Sequence, residues 1–282
     1  MLMLTNVWKS CHASVCQLNF LNERGVCVDT LTGFKVGSFL VTSQQAFCIE
    51  KAHKVQIKFV DFDANTLSAS MKIPYAEFTQ ELRIGVVQDS GHYAVFNIDF
   101  SEFKNIPGLA LSEQRSLSIG SSVASLGFSC GYSNLSLKSG IISSVFADRN
   151  GIRFLQFDGQ VAHGNSGSPI VNPATMEVVG IVNRRSTPAS NAYHQLKENI
   201  AANLNELKRV EAVVKFGDID PIQVLIVNQN QLKLLANVIY KHSSTSIAQA
   251  VMLDGIISFF NQNVASTFTN KVVNKAHNLY QG

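Results

Sequence analysis

The feature that most constrains this chain is a rhythm. From residue 15 to about residue 187, short apolar runs alternate with turn residues. Runs over 15–21, 25–28, 35–42, 46–50, 54–60, 66–73, 83–87, 93–98, 122–127, 139–145, 152–157, 168–171 and 178–183 all suit strands. Many short strands at even spacing imply a sandwich or barrels. After Arg185 the spacing becomes helical, over 190–214, 221–241 and 266–280. Ser244-Thr245-Ser246 reads as the cap of another helix over 247–262. Segments 210–216 and 224–227 also fit a late strand. The expected division is therefore an all-β domain over 1–187 and a mostly helical C-terminal region over 188–282.

Composition narrows the function. Across 282 residues the formal charge is +3, too small and too scattered for an electrostatic nucleic-acid binder. Hydrophobic residues make up 46% and charged residues 15%, the balance of a globular chain. The five cysteines are odd in number and form no Cys-x-x-Cys, which argues against a disulfide framework and against zinc. No metal spacing and no phosphate-binding glycine loop occurs, so no cofactor is expected. The N-terminus lacks the charged start and long apolar core of a signal peptide, and no segment is long and apolar enough to span a bilayer. The expected location is cytoplasmic.

One turn carries chemistry. Gln156–Val171 reads as a strand, a Gly164-Asn165-Ser166-Gly167-Ser168-Pro169 turn and a second strand. Such a turn lifts a serine hydroxyl into solvent, and the N–H groups of Gly164, Asn165 and Ser166 can converge on an oxyanion. The same residue types also make an ordinary hairpin turn. A serine nucleophile needs a base. His53 follows an apolar strand, a polar turn and a second apolar run, in the segment 37–55 that ends Glu50-Lys51-Ala52-His53-Lys54-Val55.

Together these residues resemble the chymotrypsin-like serine peptidases, most of all the HtrA/Deg-type enzymes. There a strand and hairpin lead to a Thr-Ala-Ala-His or Asn-Asn-His segment bearing the base. Leu126-Gly127-Phe128, Leu137–Ser144, Gly164–Pro169 and Val178–Val182 resemble further family segments in the family's order, over 15–185. No PDZ-like module is evident. The resemblance implies a mainly β, chymotrypsin-like fold of two six-stranded β-barrels, followed by the helical C-terminal region. It implies a serine endopeptidase with Ser166 as nucleophile, His53 as general base and an oxyanion hole formed by the N–H groups of Gly164 and Ser166; the turn itself also offers Gly164 and Asn165. The residue before the serine is Asn165, so activation by a freed N-terminus is not implied.

The third triad member departs from the family. Where the family writes Asp-(Ile/Leu)-Ala-(Val/Leu)-Leu, this chain writes His92-Tyr93-Ala94-Val95-Phe96. Three readings stay open: His92 orients the base, Asp89 or Asp99 substitutes, or the triad is broken and the domain binds without cleaving. Gln160 falls where the family sets the floor of the specificity pocket. With Asn183 opposite, that implies a polar or medium-sized substrate side chain. His163, three residues before Ser166, is either a solvated loop histidine or a substrate contact. The implied partner is a protein or peptide substrate, with no nucleic acid and no membrane. The C-terminal helices would form a structural cap, a homo-oligomer surface or a partner dock.

Overall fold

A computed structural model describes residues 2–84, 92–113, 118–129, 131–185, 189–211, 220–242 and 245–261. Helix α1 (Leu2–Cys11) opens the chain and buries Val7 and Cys11 completely. Strands β1 (Val15–Leu21), β2 (Cys27–Val36), β3 (Phe39–Ser43), β4 (Lys54–Val60), β5 (Leu67–Pro74), β6 (Leu82–Ile84) and β7 (Tyr93–Asn97) form one antiparallel sheet, with α2 (Tyr75–Gln80) between β5 and β6. Its order is β5-β4-β1-β2-β3-β7-β6. Strands β8 (Ser122–Phe128), β9 (Leu135–Ala147), β10 (Arg153–Val161), β11 (Pro169–Val171), β12 (Val178–Arg185) and β13 (Thr245–Met252) close a barrel in the order β10-β13-β12-β11-β8-β9. Helices α3 (Ala189–Arg209) and α4 (Pro221–His242) lie between β12 and β13 in the chain.

Alternating side chains build three apolar clusters. Leu18, Phe20, Leu31, Leu40, Ile57 and Phe96 fill the concave side of the first sheet. Ile142, Leu155, Phe157, Ile170 and Val182 fill the closed barrel. Phe34, Val41 and Val95 from the first sheet meet Leu126, Phe128 and Ile181 from the barrel in a third cluster. A strand such as β2 thus buries both faces, one in its own sheet and one at the junction. The junction holds the two halves against each other, and the candidate site forms along it.

The mainly β, two-halved architecture with helices toward the C-terminus is the expected one, and α3 and α4 fall on the two long helical patterns. Asp220 caps α4, its Oδ1 accepting from the N–H of Ile222 at 2.8 Å, with Pro221 at the first helical position.

Four details differ. The first half is a seven-stranded sheet rather than a closed six-stranded barrel, because the short β6 adds beside β7. The predicted strand over 46–50 is absent; a 3-10 turn, Gln44–Phe47, ends the hairpin instead. The predicted helix over 247–262 begins as β13. Its Ala248 and Ala250 point into the barrel while Ile247 is exposed, a period of two that the serine-threonine cap signal masked. Pairing with both β10 and β12 overrides the local helix preference of Ala-Gln-Ala. A late strand exists, but not over 224–227, which is helical. The predicted helix over 266–280 and much of 210–216 lie outside the described residues.

Candidate active site

The turn before β11 is braced from every side. Gly164 and Gly167 hold φ of +96° and +88°, the left-handed region that side chains resist. A Cβ on Gly167 would also sit 2.0 Å from the backbone oxygen of Thr32. Thr32 on β2 is the main brace. Its N–H donates to the Ser166 carbonyl at 3.0 Å and its Oγ1 to the Gly164 carbonyl at 2.7 Å. Gly167 N–H donates to Val182 O at 2.7 Å.

Asn165 is buried beneath the turn. Its Oδ1 accepts from Ala162 N–H at 2.9 Å, from Lys138 Nζ at 2.7 Å and from Ser129 Oγ at 3.2 Å. Its Nδ2 donates to Phe128 O at 3.1 Å, so one side chain satisfies four neighbours. The Asn165 N–H is itself taken, by Ala162 O at 3.1 Å. Among the described residues, the N–H groups of Gly164 and Ser166 find no acceptor. Asn165 thus holds the turn from below with its own N–H committed, and the uncommitted donors of the turn are those of Gly164 and Ser166.

Ser166 opens into a cavity of about 700 Å³ between the two halves. The first sheet contributes Asp29 on β2, then Gln45, Cys48 and Ile49 after β3, and His92 before β7. The barrel side contributes Phe146, Asp148, Phe154, His163, Asn183 and Gln249, and α4 adds Tyr240. The His92 ring meets the Phe154 ring at 5.0 Å and 61°, and its carbonyl accepts from Gln44 N–H at 3.4 Å. Next in the chain, Tyr93 is anchored against the position of Gly255, and burial pushes its hydroxyl up to about 12, with nearby Asp254 adding to the rise. His163 Nε2 lies 2.8 Å from Asp29 Oδ1, tying the serine turn to β2. Burial raises the Cys11 thiol to about 11, and the four described cysteines are free thiols, with Cys48 the one that lines the cavity. Among the described residues, no group of three or more His, Cys, Asp or Glu converges as a metal site.

The structure brings Ser166, His92, His163 and Asn183 together, and it does not bring His53. That histidine is exposed at the head of β4 and does not line the cavity. Its N–H donates to Leu21 O at 2.7 Å and its carbonyl accepts from Tyr75 N–H at 2.9 Å. The expectation for His53 rested on a strand over 46–50, which is absent. Because the hairpin ends with β3 at Ser43, the cavity-facing residue just after it is Gln45, not His53. Gln160 is exposed on β10 and lies outside the cavity, so it does not floor a pocket there. Asp99 faces Lys35 rather than the cavity, and Asp89 lies outside the described residues. Sequence reasoning missed Gln45, Asp29, Phe154 and Tyr240. The polar Ser43-Gln44-Gln45 stretch after the apolar run 39–41 held a signal for the first, since it marks where the strand ends.

A family profile described as "Trypsin-like peptidase domain" matches residues 25–181. Among solved structures, the HtrA-type protease AlgW with tripeptide is 19% identical, with a TM-score of 0.49 over 64% of this chain and 53% of that one. The serine endoprotease from Yersinia pestis is 20% identical, with a TM-score of 0.47 over 65% and 58%. A second AlgW structure with tripeptide reaches a TM-score of 0.50 at 16% identity, over 70% of this chain and 63% of that one. The chain thus spans little more than half the length of the first two. No curated protein sequence matches.

Proposed function

Because the chain belongs to the trypsin-like peptidase domain family, we propose that its cleft takes an extended segment of polypeptide, and that Ser166 attacks it as a serine peptidase with His92 as proton acceptor. In this reading Ser166 Oγ bonds to the substrate carbonyl carbon and its proton passes to the imidazole. The carbonyl oxygen becomes an oxyanion and rests on the N–H groups of Gly164 and Ser166. The imidazolium then protonates the departing amine, and water releases the acyl group. The observation that carries the reading is the single cavity shared by Ser166 and His92, beside a turn with two N–H groups to spare. Turnover is expected to be slow. The base comes from a slot where the family writes a carboxylate, and losing the carboxylate that orients the imidazole costs about ten-thousandfold in kcat in a serine triad.

A second reading has its own observation. Gln45 faces the cavity at the end of β3, and a neutral amide takes no proton at working pH. That favours a domain that binds polypeptide without cleaving it. A fluorophosphonate probe separates the two. The peptidase reading expects labelling of the wild type, none of Ser166→Ala, and at least a hundredfold slower labelling of His92→Ala. Folded wild type that resists the probe would leave the binding reading standing.

A further inference from the structure

We propose that Tyr240 is a specificity-determining residue of the cleft: carried in by the helical hairpin between β12 and β13, it completes with Phe146 and Phe154 an aromatic wall that selects a bulky apolar side chain of the bound polypeptide. The inference rests on the reading of the cleft as a polypeptide site, and is independent of whether Ser166 turns substrate over.

The topology carries the first part. Strands β12 and β13 are hydrogen-bonded antiparallel neighbours, with Gly180 opposite Met252 and Arg185 opposite Ala248. A connection of a few residues suffices for such a pair. This chain instead runs out along α3 and back along α4. The insertion therefore answers no need of the barrel. Its return leg delivers Tyr240, in the last turn of α4, into the cavity wall just before the chain enters β13.

The base of the hairpin is built to hold that ring. Tyr193, in the first turns of α3, stacks face to face on Tyr240 with centroids 4.0 Å apart and planes 4° from parallel. The Tyr193 hydroxyl donates to Asn237 Oδ1 at 2.5 Å, one turn before Tyr240. In the lining of the same cavity, Phe146 stacks on Phe154 at 5.6 Å and 21°, and Phe146 is 37% exposed. An exposed phenylalanine stacked on a second one, both on the cavity wall with Tyr240, is a surface that a flat or branched apolar side chain covers well. Asp148 at the same wall disfavours an acidic side chain.

The test uses the full chain carrying Ser166→Ala, which keeps the cleft and removes the chemistry. Fluorescent, acetylated hexapeptide amide pools, each with one position fixed as Phe, Leu, Ala, Lys or Asp, are titrated by anisotropy. One position should prefer Phe or Leu over Asp by about tenfold or more. Adding Tyr240→Ala should erase most of that preference, Tyr240→Phe should keep it, and Tyr193→Ala should weaken it by releasing the ring. Circular dichroism melts confirm that each variant is folded. Equal binding of all pools, a preference for Lys or Asp, an unchanged preference in Tyr240→Ala, or no binding of any pool would each overturn the proposal. Probe labelling of wild-type Ser166 is read separately, so failure of the serine chemistry and failure of the aromatic wall are told apart.

Discussion

The serine turn and the first-sheet wall that faces it across the cavity are built to different standards. The turn is over-determined: two left-handed glycines, a buried asparagine with four partners, and Thr32 reaching across from β2. The facing wall is a short 3-10 turn, with Gln45 exposed and His92 half-buried. The side of the cavity that presents Ser166 is thus fixed by its backbone conformation and its packing. The side that faces it depends on which side chains a short turn carries.

The contrast is open to attack by substitution. Gly167→Ala should destabilise the fold by about 3 kcal/mol or more, from left-handed strain plus overpacking against Thr32. Denaturant unfolding measures this, and a loss as large for Gln45→Ala would erase the contrast, since that exposed position should change stability by less than about 0.5 kcal/mol. Asn165→Ala follows, at about 3 kcal/mol, because it removes the acceptor of the buried Ala162 N–H, one acceptor of the Lys138 ammonium and the donor to Phe128 O together. Ser168→Ala runs the other way. Among the described residues, the buried Ser168 hydroxyl finds no partner, and it crowds the site of Gly127. Removing it should stabilise by about 1 kcal/mol, a rise in Tm of a few degrees. Asp29→Asn is the smallest: the pair with His163 is about a quarter exposed on each side, so its loss should cost about 0.5 kcal/mol.

How much of this was legible in the sequence follows the same division. The turn was readable because Gly-Asn-Ser-Gly-Ser-Pro is local: each residue type answers a backbone demand within a few positions. The strand rhythm and the two long helices were readable for the same reason. The cavity-lining residue after β3 was not, because its identification hung on where β3 ends. The apolar residues Ala46, Phe47 and Ile49 continue the strand pattern past the point where the backbone turns. Only the registered pairing of β3 with β2 and β7, which stops at Ser43, shows that the cavity-facing position is 45. Strand β13 was hidden likewise, since its partners are far away in the chain. Tyr240 reaches the cavity only because β13 closes the barrel, so no pattern around it pointed there.

The most direct measurement is the rate of fluorophosphonate labelling at Ser166 in three proteins: wild type, His53→Ala, and the double variant Gln45→His with His92→Asp. Putting an imidazole at the end of β3 and a carboxylate at position 92 should supply the facing wall with a base and an orienting partner, raising the rate by about a hundredfold or more. His53→Ala should label as wild type does. A rate abolished by His53→Ala, or left unchanged in the double variant while Ser166 remains reactive, would contradict the assignment of the facing wall to Gln45 and His92.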